Sequence, residues 1–187
     1  NYKRTHRRGT LIMYFQSIPK IPYDSYGNYD FKVVTNLLRR VAVRAKVKAN
    51  TLMYDTYDVK NGETPESIAY KLYDDARLHW VVLLVNDITD RYHQWPLTTP
   101  QFLQFVSSKY DNPDGAHHYE TSQTSGDTTI KINIGTDNTD YPTATLITNL
   151  EYEESEQDRK RKIRLIDSSY LDQITDEFEK LIGQSVL

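Results

Sequence analysis

One stretch constrains the fold more than any other: Tyr57 to Trp95, reading YDVKNGETPESIAYKLYDDARLHWVVLLVNDITDRYHQW. Tyr57 and Val59 alternate with Asp58 and Lys60, a short strand pattern. Asn61-Gly62 follows, two residues that tolerate the left-handed backbone of a tight turn. Thr64-Pro65 reads as a helix start, with a hydroxyl to cap free N–H groups and a proline at the first helical position. Ile68, Ala69, Leu72 and Tyr73 then recur at helical spacing and give one apolar face. A second helix is expected from about Arg77 to Val85, with Trp80, Val81, Leu84 and Val85 inward, and Asn86-Asp87 stops it.

That order, strand–turn–helix–helix, with Gly62-Glu63-Thr64, Ile68-Ala69 and Asn86 at these spacings, resembles a LysM module. Such modules are small βααβ units whose members bind N-acetylglucosamine polymers. After Asn86 the pattern departs: in place of a closing strand and a Gly-x-x-Leu-x-Ile-Pro ending comes Tyr92-x-x-Trp95-Pro96-Leu97.

The flanking chain is read from its ends. Residues 1–12 carry Lys3, Arg4, Arg7 and Arg8 and no acid, within a net charge of −3, so the remaining chain is more acidic still. This tail is either a solvated end or an arm for an acidic partner surface or nucleic acid. Leu11 to Asp24 holds two prolines and little helical periodicity, which predicts an extended N-terminal arm over 1–24. Met13-Tyr14-Phe15 is where the folded protein is expected to begin. Residues 25–56 form a helix/strand lead-in: a turn at Ser25–Asp30, a short helix through Val33, Val34, Leu37 and Leu38, and a half-exposed strand through Val41, Val43, Ala45 and Val47. Arg39, Arg40, Arg44, Lys46 and Lys48 are the solvated face of that strand or an interface for an acidic partner. Nucleic acid is not expected, since no aromatic residues interleave with these cations.

Beyond the 57–97 module, Thr99-Pro100 repeats the cap-then-proline signal and opens a helix over 98–110 that presents Phe102, Leu103, Phe105 and Val106. Residues 111–148 read as a polar loop, Asp111 to Asp127, followed by a β-hairpin excursion in which Ile130, Ile132 and Ile134 alternate with polar residues. Residues 149–187 read as helix–strand–helix. Asn149 to Lys160 places acids early and bases late, complementing the helix dipole. Ile163 and Leu165 form a strand. Ser168 or Ser169 caps a last helix through Leu171, Ile174, Phe178, Leu181 and Ile182, and Gly183 ends it. The expected fold class is α+β: a LysM-like βααβ core with an extended N-terminal arm, a β-hairpin excursion and a C-terminal strand–helix.

Composition narrows the chemistry. Cysteine is absent, which removes disulfides, thiolate metal sites and thiol nucleophiles. No apolar run approaches the ~20 residues of a membrane span and none has signal-peptide layout, so the plain reading is soluble and intracellular. The seven glycines are scattered, so there is no phosphate-binding loop, and no Gly-x-Ser-x-Gly elbow occurs. His117-His118 with Glu120, Asp111 and Asp114 is the nearest thing to a metal set. Adjacent histidines on a strand point to opposite faces and nothing resembles His-Glu-x-x-His, so a polar loop is the better account. Arg159 to Lys162 is accounted for as the end of a helix that starts acidic. Trp80 reads as core, and Trp95 as core or stacking surface. No cofactor, metal or catalytic residue is expected. Fifteen tyrosines either line a mixed core with their hydroxyls outward or meet another protein.

End to end, the chain resembles the baseplate wedge proteins of contractile-tailed phages, the gene product 53 family, whose members contain a LysM-like domain. The residues that carry this are Met13-Tyr14-Phe15 through Ile21-Pro22-Tyr23, Arg39-Arg40, and Tyr57-Asp58-Val59 through Gly62-Glu63-Thr64-Pro65-Glu66. With them stand Ile68-Ala69-Tyr70, His79-Trp80-Val81-x-Leu83-Leu84-x-Asn86, Tyr92-x-x-Trp95-Pro96-Leu97, Ile147-Thr148-Asn149-x-Glu151-Tyr152-Glu153 and Arg161-x-Ile163-Arg164-Leu165-Ile166. The resemblance implies a non-enzymatic structural subunit of the virion, assembled in the host cytoplasm, one per wedge and six per baseplate. It would lie in the inner ring around the tail hub, contacting core-bundle wedge subunits and the neighbouring wedge, with the sheath initiator close by. No nucleic acid, membrane or small-molecule substrate is implied. The partner-binding residues expected are Tyr14, Phe15 and Tyr23 on the arm, Tyr70, Tyr73, Arg77 and His79 on the LysM-like helices, and Tyr92 with Trp95. The competing class is a carbohydrate-binding LysM module that recognises peptidoglycan. A metal-dependent enzyme using His117 and His118 stands third.

Overall fold

The computed structural model describes residues 14–42 and 53–184. The expected basic tail lies outside them, as does the strand expected through Val41, Val43, Ala45 and Val47 apart from Val41, which is described and is not in a strand. Seven strands, β1 (Lys20–Tyr23), β2 (Lys32–Thr35), β3 (Tyr54–Asp58), β4 (Ala116–Ser122), β5 (Lys131–Gly135), β6 (Thr145–Thr148) and β7 (Lys162–Ile166), occur among the described residues. So do six α-helices: α1 (Pro65–Tyr73), α2 (His79–Val85), α3 (Arg91–Gln94), α4 (Thr99–Lys109), α5 (Asn149–Arg161) and α6 (Leu171–Gln184). The class is α+β. No helix among the described residues is long and apolar enough to cross a membrane.

The chain forms two compact units. The first takes its described residues from 14–42, 53–56, 63–89 and 164–184; the second is Tyr57–Gly62 with Asp90–Ile163.

In the first unit, α1 starts as its sequence dictates. Thr64 caps it by accepting from Ser67 N–H, Ser67 Oγ accepts from Thr64 N–H in return, and Pro65 occupies the first turn. Asp74 ends it in the left-handed conformation, φ 57°. Asp75 then caps a 3-10 turn, Ala76–Leu78, that leads into α2. The inward residues of α2 are Trp80, Val81, Val82 and Val85; Leu84, expected inward, is half-buried, and Val82 is buried in addition. Ile68 and Ala69 of α1 join this core with Ile166 of β7 and Ile174, Phe178 and Ile182 of α6. Asp167, not Ser168 or Ser169, caps the turn Ser168–Tyr170 that precedes α6. Helix α6 continues through Gly183 to Gln184, so that glycine does not terminate it.

β7 is the strand that pairs with β3. Val59 N–H donates to Arg161 O and Asp167 N–H to Met53 O, both within 3.1 Å, pairing rising with falling numbers and so running antiparallel. No closing strand follows Asn86 directly; the strand beside β3 comes from residues 162–166 instead. Asn86 makes the connection within the first unit. Its amide donates to Val82 O and Arg164 O, and its carbonyl accepts from Arg164 N–H, each at 2.8 Å.

The short helix expected through Val33, Val34, Leu37 and Leu38 is not formed. Val33 and Val34 lie in β2, paired antiparallel with β1, and β-branched pairs suit a pleated strand better than a helix. Asn36 then turns the chain, its Oδ1 accepting from Leu38 N–H.

In the second unit, β4 is the middle strand of a three-stranded antiparallel sheet, order β5-β4-β6. It occupies Ala116–Ser122, inside the expected polar loop. Helix α4 is capped at Thr98, one residue before the expected cap, with Gln101 Oε1 accepting from Thr98 N–H at 3.1 Å. Phe102 and Val106 are buried on it, whereas Leu103 and Phe105 are exposed, because only a narrow stripe of this helix meets the core. Thr148 and Glu151 form a reciprocal capping box at the start of α5. That helix buries Glu153 and Gln157 rather than apolar side chains: Gln157 Oε1 accepts from Leu97 N–H at 2.8 Å, and Glu153 accepts from Lys109 Nζ at 2.6 Å and Tyr110 Oη at 2.8 Å.

Candidate protein–protein interface

The hairpin of β1 and β2 is short, and two strands alone bury little. Its turn is built by Asp24, whose carboxylate accepts from the backbone N–H groups of Tyr26, Gly27 and Tyr29 at 2.7–3.1 Å. Partial desolvation pushes the Asp24 carboxyl up, but these N–H donors outweigh it and hold the carboxyl below its ordinary value. Gly27 and Tyr29 both take positive φ, 68° and 66°, so the turn throws its tyrosine rings outward. Phe15, Tyr23, Tyr26, Tyr29, Phe31, Val33, Val34, Leu37 and Leu38 are all exposed, Leu38 at 89% and Tyr29 at 87%. Scattered surface apolar residues are ordinary, but so dense an exposed set on one short segment stands out among the described residues.

The nine residues expected at an interface fare differently. Phe15 and Tyr23 lie on this exposed segment. Tyr14 is half-buried, stacked on Phe178 with ring centroids 5.4 Å apart and tilted against Trp80 at 5.8 Å. It anchors the start of the described chain, while Phe15, edge-on to it at 5.3 Å, faces out. Tyr70 of α1 is exposed. Tyr73 is half-buried and donates to Ile166 O at 3.1 Å; burial drives its phenol up to about 12. Its hydroxyl is thus committed to the fold. Arg77 is exposed and forks onto Asp75, Nε to Oδ1 and Nη2 to Oδ2 at 3.0 Å each, which lowers the Asp75 pKa. His79 is half-buried, its Nδ1 3.1 Å from Ala76 O. In the second unit Tyr92 is exposed at 86%, whereas Trp95, expected with it, is only 6% exposed and packs as core. Burial of that indole removes Trp95 from any accessible surface.

The exposure of Tyr26, Tyr29, Phe31, Val33, Val34, Leu37 and Leu38 was not anticipated from the sequence. The signal was there in the turn composition of Ser25–Asp30, which puts aromatic residues where no core can form.

His117 and His118 do meet, contrary to strict strand alternation. The register shifts between Ala116 and His118, a bulge that turns the two rings toward each other with Nδ1 to Nδ1 at 2.8 Å. His117 stacks on Tyr152 at 3.9 Å, and His118 Nε2 lies 3.1 Å from Glu120 Oε1. Burial and the neighbouring His118 lower the His117 pKa, which favours the neutral ring that such a contact needs. Among the described residues no group of three or more His, Asp or Glu is arranged to hold a metal ion.

Comparison with known proteins places these features in a family. Residues 13–141 match the model of the base plate wedge protein 53 family. The baseplate wedge protein gp53 of Enterobacteria phage T4 is 35% identical over 60 residues, which cover 32% of this chain and 31% of that protein. The matched stretch thus spans about a third of that relative's length. With more than half of its residues inside the family model, the chain belongs to the base plate wedge protein 53 family.

Proposed function

We propose that this chain is a structural, non-enzymatic subunit of a phage tail baseplate wedge, and that it works by joining proteins rather than by chemistry. The observation that carries this is the row of nine large apolar side chains left in solvent between Phe15 and Leu38. A subunit that fills crevices between larger partners needs such a surface, and aromatic residues are enriched at protein contacts. Tyr70 and Arg77 on the helical part of the first unit, and Tyr92 on the second, extend the proposed contact set. Tyr14, Tyr73 and His79 are half-buried and are committed to the fold of the first unit.

In this reading β3, α1, α2 and β7 form a LysM-like βααβ core whose last strand is delivered late in the chain. Phe15, in a 3-10 turn, and Tyr23, on β1, contribute from the N-terminal segment expected to be an extended arm. The partners are other wedge proteins, namely core-bundle subunits and the neighbouring wedge, with six copies around the hub.

The test is retention of the purified chain on two baits, peptidoglycan and the remaining wedge proteins of the same phage. Retention by wedge proteins alone is expected. Saturable binding to glycan, competed by chitooligosaccharide and without wedge binding, would overturn the proposal.

A further inference from the structure

The hairpin has one closed edge and one open edge. Its register pairs Lys20 with Thr35, Ile21 with Val34, Pro22 with Val33 and Tyr23 with Lys32. Asn36 N–H donates to Pro19 O at 2.9 Å, which marks Pro19–Asn36 as a bonded pair. Antiparallel ladders alternate bonded and non-bonded pairs, so Ile21–Val34 and Tyr23–Lys32 bond inward, while Pro22 and Val33 turn their backbone groups outward. On the β1 side this puts a proline where a donor would stand, and a proline edge resists further pairing. On the β2 side Val33 presents both N–H and C=O, and Thr35 its N–H. The Thr35 carbonyl already accepts from Leu37 N–H at 2.9 Å. Among the described residues no strand pairs with this edge.

Charge selects the occupant. Residues 14–42 hold Lys20, Lys32, Arg39 and Arg40 against Asp24 and Asp30. Asp24 is turned onto its own backbone, and Lys20, Lys32 and Arg40 are exposed. Lys20 shares the sheet face of Val33 and Lys32 that of Val34, so cations flank the apolar strip on both faces. A second copy of the chain would set this cationic hairpin against itself, and like charges across a strand pair destabilise it.

We propose that the outer edge of β2 receives an extended segment of another baseplate protein as an added strand. The segment is apolar opposite Val33 and Val34, and acidic residues flank that part to meet Lys20, Lys32 and Arg40. This deepens the structural-subunit reading above and rests on it. The backbone of Val33 supplies the central pair of hydrogen bonds, and the side chains on either face supply the apolar contact, the usual division of labour in strand addition.

Val33→Pro tests it, because proline removes only an outward N–H and is tolerated on an edge strand. The full-length chain and its variants are titrated into wedges assembled from the remaining wedge proteins of the same phage, and incorporation is read by sedimentation. Val33→Pro is expected to weaken incorporation about ten- to a hundredfold, from a lost bond and an orphaned carbonyl on the partner. Val33→Ala, which keeps both backbone groups, loses less than about fivefold on the same scale. Lys20→Glu with Lys32→Glu weakens it further, and added salt weakens the wild type. Independently of any variant, hydrogen exchange at Phe31–Thr35 in the wild-type chain slows on incorporation.

Equal incorporation of Val33→Pro and wild type, or unchanged exchange at Phe31–Thr35, overturns strand addition and leaves the baseplate role standing. Self-association of the purified chain that Val33→Pro abolishes assigns the edge to a second copy and overturns the proposed partner. Failure of the wild-type chain to enter wedges at all overturns the structural-subunit reading, and this inference with it.

Discussion

Replacing Asn86 is the sharpest perturbation of the first unit. Its side chain makes three hydrogen bonds of 2.8 Å: two donated, to Val82 O and Arg164 O, and one accepted from Arg164 N–H. Two of the three tie the end of α2 to a strand 78 residues further along the chain. At about 1 kcal/mol net for each bond, Asn86→Ala should cost about 3 kcal/mol. Since each ~1.4 kcal/mol is a factor of ten, amide exchange in α2 and β7 should accelerate about a hundredfold. Exchange in β4, in the other unit, is the internal control and should stay unchanged. Asn86→Asp discriminates the cause. It preserves size and the acceptor for Arg164 N–H, but turns a carboxylate oxygen onto two carbonyl oxygens in place of the two donated bonds. It should therefore destabilise at least as much as alanine, despite being nearly isosteric. Wild-type protection in the Asp variant, or a loss below about 0.5 kcal/mol in the Ala variant, would show that the amide donors do not hold β7 in place.

Three further outcomes are expected. Glu153→Ala removes a buried carboxylate that accepts from Lys109 Nζ and Tyr110 Oη, and should lower the stability of the second unit by about 2–3 kcal/mol in urea unfolding. The Asp24 turn is pH-sensitive with a definite sign: its folded pKa lies below the ordinary value of 3.8, so the turn holds fully above that value and is lost as pH falls through the folded pKa. The Tyr29 amide resonance should accordingly titrate with a midpoint below 3.8, and a midpoint at or above it would contradict the three backbone bonds. Ile68→Ala, at a fully buried site, should cost about 2–5 kcal/mol, whereas Leu38→Ser at an exposed site should shift stability by less than about 0.5 kcal/mol in the same denaturation assay.

Features set by neighbours in the chain were legible without coordinates. Thr64 and Pro65 start α1 because a cap hydroxyl and a proline act within one turn of themselves, and Ile68 and Ala69 face inward because helical periodicity puts them there. The acid-to-base gradient of α5, the turn at Asn61-Gly62 and the apolar stripe of α6 followed from the same short-range physics. Local signals misled where a tertiary partner outweighed them. Val33 and Val34 carry a spacing compatible with a helix, yet pairing with Ile21 and Pro22 makes them strand. Residues 116–122 are polar enough to read as loop, but β5 and β6 supply hydrogen bonds on both sides.

Sequence alone was enough for the starts of α1 and α5, the apolar stripe of α6 and the crowding of tyrosine and phenylalanine around Ser25–Asp30, since each depends on residues a few positions apart. Tertiary structure alone decided which strand lies beside β3, because choosing residues 162–166 over those after Asn86 is a long-range pairing that no local pattern encodes. It also buried Trp95 while leaving Tyr92 in solvent, and turned His117 toward His118 through a bulge. The open edge of β2 belongs to the same class: Pro22 is visible in the sequence, but only the register shows that it closes one side of the hairpin and leaves Val33 to the other.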